Sequence, residues 1–211
     1  MYGWRYVWLF ASGVLLVTTA ASAAEKISAR SVMSLLEMRQ DSVVTQEWDL
    51  SCGAAALATM LRYQYGDPVT EREVATALMR RDEYLANPQL VQIRQGFSLL
   101  DLKRYAESRG YKGIGYGQLS VEDLIKEAPI LTPIDTFGYK HFVVFRGVMA
   151  DRVLLADPAW GNRTMTVDDF ERAWIDYGPE IGRVGFVVAR PDGTSPAGRL
   201  APSAKDFVFL N

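Results

Sequence analysis

Gln46 to Met60, QEWDLSCGAAALATM, carries the only cysteine of the chain, Cys52, at the head of small and apolar residues at helical spacing. The run predicts a buried helix from about Cys52 to Tyr65, with Ser51 as N-cap and Gly66 at the C′ position. Alanines at 54–56 and 58 let such a helix pack closely on its neighbours. A helix start presents unpaired N–H groups and partial positive charge, so a thiol placed there is expected to ionise more readily. The competing reading is structural, because free cysteine is among the most buried residue types.

Outward from this stretch, helical patterns come first. Thr70-Glu71-Arg72-Glu73 is a capping box before the apolar face Val74, Ala75, Leu78 and Met79. Residues 82–97 contain Asn87-Pro88 and Gly96 and read as a broken segment near a cleft. Ser98 starts a third helix that carries Leu99, Leu102, Tyr105 and Ala106 inward and ends at Gly110. Ser120 starts a short fourth, which stops before Pro129. Residues 25–45 are mixed, with Val43-Val44-Thr45-Gln46 extended in propensity.

The period then changes to extended runs. Ile130–Ile134 and His141–Val148 read as strands, and Val153–Ala156 as a strand returning antiparallel to the second. Asp157 to Gly161 is a turn, Thr166 caps a last helix to about Tyr177, and Val184–Ala189 is a final strand. Helices followed by a mostly antiparallel sheet give an α+β fold, with helices on one side of the sheet. From 191 to 211 the composition turns to Pro, Gly, Ser and Ala, a mobile tail with an apolar end, Phe207-Val208-Phe209-Leu210.

The 211 residues, 49% hydrophobic and 23% charged, suit one globular domain. A net charge of −2 with mixed signs gives no basis for nucleic acid as a partner. Arg5, an apolar run from Val7 to Val17 and Ala21-Ser22-Ala23 form a secretory signal peptide over residues 1–23, leaving a domain at 24–190. Left uncleaved, residues 1–24 would anchor the domain at the inner membrane or a secretion pore. Either way the domain is expected outside the cytoplasm, in the periplasm. There a single cysteine has no internal partner, which makes it a candidate reactive group.

A cysteine nucleophile needs a base and an orienting group. The chain has one histidine, His141, at the start of its strongest strand. Asp157 follows the returning strand and comes back toward the same end. Its carboxylate is expected to accept Nδ1–H and leave Nε2 for the sulfur. The oxyanion donors would be the Cys52 N–H and the Gln46 side-chain amide, six residues upstream. Tyr139, Trp160 and Phe137 neighbour these positions in sequence and are candidates to line a substrate cleft. Each residue also has a structural reading: a capping histidine, an Asp-Pro turn, a solvated glutamine and core aromatics. One Cys and one His make a poor zinc ligand set, and no metal or other cofactor is expected.

Three stretches together resemble the C39 family of papain-like cysteine peptidases: Gln46 to Gly53, His141-Phe142-Val143-Val144, and Asp157-Pro158 with Gly161. The stretch Gly96 to Lys103, ending at Gly110-Tyr111, is similar to that family's middle helix. The resemblance covers about residues 40–160. It implies a papain-like fold, a Cys52–His141–Asp157 triad, Gln46 in the oxyanion hole, and cleavage after a double glycine. Many members are domains of peptide-exporting transporters and often carry Asp where this chain has Ser51. This chain shows no transporter segments but an export signal, like stand-alone members that accompany functional-amyloid secretion in Gram-negative bacteria. The implied partner is a peptide or protein exported by the same system. Two rivals stand beside the peptidase: a non-catalytic C39-like module that holds a secretion substrate or partner, and a transglutaminase-like acyl transferase.

Overall fold

The computed structural model describes residues 33–208. The signal segment at 1–23 and the apolar end at Phe209-Leu210 lie outside the described residues. Six helical stretches precede the first strand: α1 (Leu35–Gln40), α2 (Cys52–Thr59), α3 (Glu71–Met79), α4 (Asp82–Ala86), α5 (Leu90–Ile93) and α6 (Leu99–Ser108). Then come β1 (Lys112–Tyr116), α7 (Val121–Glu127), β2 (Ile130–Thr136), β3 (Tyr139–Met149), β4 (Arg152–Asp157), β5 (Gly161–Thr166), α8 (Val167–Ala173), β6 (Gly185–Ala189) and α9 (Ala204–Val208).

Caps set most helix starts. Thr70, Ser98 and Ser120 each accept a backbone N–H three residues on, and Glu73, Asp101 and Asp123 return the bond. Helix α2 continues as a π-helical turn, Met60–Tyr65, and stops at Gly66, whose φ of +76° is the left-handed C′ conformation. Ser51 departs from expectation. Its hydroxyl does not cap α2 but reaches the Trp48 carbonyl and the Glu71 carboxylate. The last predicted helix ends at Ala173, short of Tyr177, because Trp174 bridges to Ile134 of β2.

The six strands form one antiparallel sheet in the order β1-β6-β2-β3-β4-β5. The edge strands β1 (KGIGY) and β5 (GNRTMT) were not legible in the sequence. Edge positions tolerate glycine and polar residues, so these two lack the apolar run that marks the inner strands. Along the inner strands burial alternates between two clusters. Leu131, Val144, Ala156 and Val188 join the cluster of α2, α3 and α6; Ile130, Val143, Phe145, Leu155 and Val187 join that of α7, α8 and Trp174. The fold is therefore α+β as expected, but helices cover both faces of the sheet rather than one. Burial on both faces explains why β3 and β4 read as continuous apolar runs.

Within the stretch after Pro191, which composition reads as a mobile tail, residue 200 is anchored. Leu200 is fully buried. Its carbonyl accepts Arg146 Nε–H at 2.8 Å, and its N–H donates to Gln64 Oε1 at 3.0 Å. Composition misses this because one buried leucine and two buried polar side chains on other elements suffice to hold the segment.

Candidate active site

Cys52 is the first residue of α2 and is only 5% exposed. It shares with His141 the wall of a cavity of about 560 Å³ that runs on past Phe97, Leu99, Pro133 and Ile175. The volume lies within the range of small-ligand pockets, roughly 300–1,000 Å³. The 82–98 segment, folded as α4 and α5 rather than left irregular, supplies one side of this wall. It is held by buried Asp101, which accepts Tyr84 Oη–H and Arg81 Nη1–H, each at 2.6 Å, and the Ser98 N–H at 2.9 Å.

The thiol does not behave as the helix start alone would predict. Burial pushes its pKa up; the Phe142 and Gly53 N–H groups pull the other way, and the charge of Asp157 pushes it up further. The net direction is upward. The helix N-terminus is present, but desolvation outweighs it.

His141 is the third residue of β3, opposite Ile134 of β2, rather than the first of its strand. Its ring meets Asp157 through Nε2, 3.0 Å from Oδ2, and both side chains are fully buried. The expected orientation is thus reversed. With the proton on Nε2, the basic nitrogen is Nδ1. Once protonated, Nδ1–H has the Tyr139 carbonyl as an acceptor at 3.3 Å. Asp157 also accepts Arg163 Nε–H at 2.8 Å and, through Oδ1, the Ala159 N–H at 2.8 Å. It is therefore both the turn former of the Asp-Pro reading and the partner of the histidine.

The three aromatic candidates divide. Tyr139 stacks on the His141 ring with centroids 4.7 Å apart, and Trp160 meets the same ring edge-on at 5.5 Å. They hold the imidazole and are not part of the cavity wall around Cys52. Phe137 stands fully exposed in the β2–β3 turn and is not brought to the site. Its neighbourhood in sequence misleads because a tight turn points away from the sheet it joins.

Gln46 lies beside this group. Its backbone N–H donates to the Pro158 carbonyl at 2.8 Å. Its Nε2 lies 3.3 Å from the Trp48 carbonyl and 3.5 Å from Tyr139 Oη, and its Oε1 is buried without a hydrogen-bond partner. Two residues of this region carried no signal in the sequence. Arg163 lies on edge strand β5, pairs with Asp157 and sits 5.1 Å over the Trp160 ring. Glu71 reads locally as the first residue of a capped helix but is 4% exposed and bonded to the loop before Cys52. Among the described residues no cluster of His, Cys, Asp and Glu is arranged to hold a metal ion.

A thiol at a helix start thus shares its cavity with a histidine that is paired to a buried aspartate. The sequence profile of the Peptidase C39 family matches residues 40–178. The chain belongs to the Peptidase C39 family. Among curated relatives, it is 37% identical over 145 residues to the "Probable functional amyloid protease FapD" of Pseudomonas aeruginosa and 40% identical over 146 residues to the protein of that name from Pseudomonas fluorescens. Each alignment takes in 69% of this chain, which spans about three fifths (62%) of the relative's own length. Among solved structures, a double glycine motif protease from an AMS/PCAT transporter, in complex with the leader peptide, superposes with a TM-score of 0.54 at 25% identity, covering 70% of this chain and 90% of that one. The peptidase domain of Streptococcus ComA superposes with a TM-score of 0.53 at 16% identity, covering 70% of this chain and 97% of that one, a likeness of fold alone. The C39 fold is thus the frame in which Cys52, His141 and Asp157 are held.

Proposed function

We propose that this C39 protein is a periplasmic cysteine peptidase that cleaves an exported peptide or protein of a functional-amyloid system, after a double glycine. The observation that carries the reading is that His141, fully buried and paired with Asp157, lines the cavity that Cys52 also lines. FapD of two pseudomonads bears the name of a functional amyloid protease, and a relative of known structure that of a double glycine motif protease, which supports the substrate class.

In this mechanism Cys52 starts as a thiol, because burial disfavours its anion. His141 Nδ1 takes the Sγ proton as the sulfur attacks the scissile carbonyl, and Nε2–H stays on Asp157. The oxyanion is met by the Cys52 N–H and by Gln46 Nε2. Both present contacts of that nitrogen are long for hydrogen bonds, so turning it to the oxyanion gives up little. The protonated imidazole then gives its proton to the leaving amine. A thioester remains, and water hydrolyses it by the same steps.

The test is to incubate the wild-type protein and Cys52→Ala with exported proteins of the same operon. The expected outcome is a fragment that forms with wild type and is absent with Cys52→Ala. Equal fragment patterns would sink the peptidase. The upward shift of Cys52 favours one other reading, a quiescent C39 module that holds its partner without cutting it. Full biological activity of Cys52→Ala would select that reading. Periplasmic placement is tested by cell fractionation, with a mature N-terminus near residue 24 expected.

A further inference from the structure

Gln46 is held loosely by its side chain and firmly by its backbone. Its Nε2 contacts are 3.3 and 3.5 Å, whereas its N–H to Pro158 O is 2.8 Å. The next N–H along the chain, that of Glu47, donates to Glu71 Oε2, also at 2.8 Å. At the other end of the loop Ser51, 3% exposed and adjacent to Cys52, hydrogen-bonds the second oxygen, Glu71 Oε1. One buried carboxylate thus grips both ends of the loop between Gln46 and Cys52. The loop needs the grip: Leu50 within it has a φ of +68°, a left-handed conformation costly for a residue with a Cβ. The Glu47 side chain itself points to solvent, where it meets the exposed Arg72 only at 3.6 Å.

Building on the peptidase reading, we infer that Glu71 is a positioning residue for the oxyanion donor, acting through the loop that carries Gln46. The bland alternative is a carboxylate that only steadies the start of α3. The two separate chemically. Acylation of Cys52 by p-nitrophenyl acetate forms the Sγ–acetyl bond through a tetrahedral oxyanion and expels p-nitrophenolate. Alkylation by iodoacetamide forms an Sγ–CH₂ bond by direct displacement, expels iodide and passes through no oxyanion.

For Glu71→Ala the acylation rate is expected to fall at least about tenfold, the scale on which misplacing a catalytic group acts, while alkylation at the same pH stays within about twofold. Glu71→Gln, which keeps an acceptor for the Glu47 N–H, should recover most of the acylation. The double variant with Gln46→Ala should be no slower than Gln46→Ala alone, since both remove one function. Unchanged acylation in Glu71→Ala, a parallel fall of both reactions, or additive losses in the double variant would each overturn the inference. If Glu71→Ala does not fold by circular dichroism, Ser51→Ala gives the same reading. A smaller loss confined to acylation supports the inference, and unchanged or parallel rates overturn it. Failure of the peptidase reading shows differently, as a selective acylation effect with no Cys52-dependent peptide cleavage.

Discussion

At the scale of single residues, Cys52 shows how environment overrules a local rule. A helix start favours a thiolate by a fraction of a unit charge at close range, but a side chain 5% exposed loses nearly all of its hydration. Alkylation of the substrate-free protein by iodoacetamide should therefore rise with pH and reach its midpoint above the ordinary thiol value of about 8.5. A midpoint below that value would show that the pair with His141 is pre-ionised. The same shift has a stability consequence. The folded pKa is raised, so the stabilising contribution is complete below the unfolded thiol pKa and is lost as pH rises through the folded one. Urea unfolding should show wild type losing more stability than Cys52→Ala across that alkaline window. Asp157 makes a related point. Its identity was readable, but that it serves His141, Arg163 and the Ala159 N–H at once follows only from where the chain brings them.

At the scale of elements, α1 and β5 depend on one glycine. Gly161 has a φ of +80°, and a Cβ there would collide with the Arg39 carbonyl oxygen at the end of α1. Asn162, next along β5, donates from Nδ2 to the Met38 carbonyl at 3.2 Å and also to that of Asp41. Gly161→Ala should therefore cost roughly 2 kcal/mol or more from backbone strain and the lost contact, about 4 °C or more in Tm for a chain of this size. An unchanged melting temperature would show that α1 is not docked there. The sequence marked the Asp157–Gly161 turn but not this docking, because the partner of Gly161 lies over a hundred residues away in the chain. The capped helices were legible for the opposite reason: a capping box is complete within four residues.

At the scale of the whole molecule, the last described segment closes the core around the central strands. Deleting the chain after residue 190 would expose the apolar surface that Leu200 covers, a burial of about 1.5–3 kcal/mol. It would also leave Arg146 and Gln64 without their bonds to residue 200. Arg146 is buried, its pKa lowered by desolvation and raised in part by Asp206 and Asp41, so losing partners there is costly. We expect the shortened chain to lose at least about 3 kcal/mol, roughly 6–12 °C in Tm, by thermal unfolding. A melting curve that overlays the full chain would show the segment to be dispensable. The composition of 191–208 hid this role because its anchors are few and their partners belong to other elements.

By itself the sequence determined the α+β order, the helix boundaries that caps enforce and the inner strands, and it singled out Cys52, His141, Asp157 and Gln46 as candidates. The elements follow from patterns complete within a turn of helix or a strand, Cys52 and His141 from residue types that occur once, and Asp157 and Gln46 from their place in the resemblance to the C39 family. Only the tertiary structure decided which histidine nitrogen meets Asp157, which way the Cys52 pKa moves, that helices cover both faces of the sheet, and that Glu71 and Arg163 stand at the site. Each of these rests on burial or on contacts between residues distant in the chain, and neither is encoded in any local stretch.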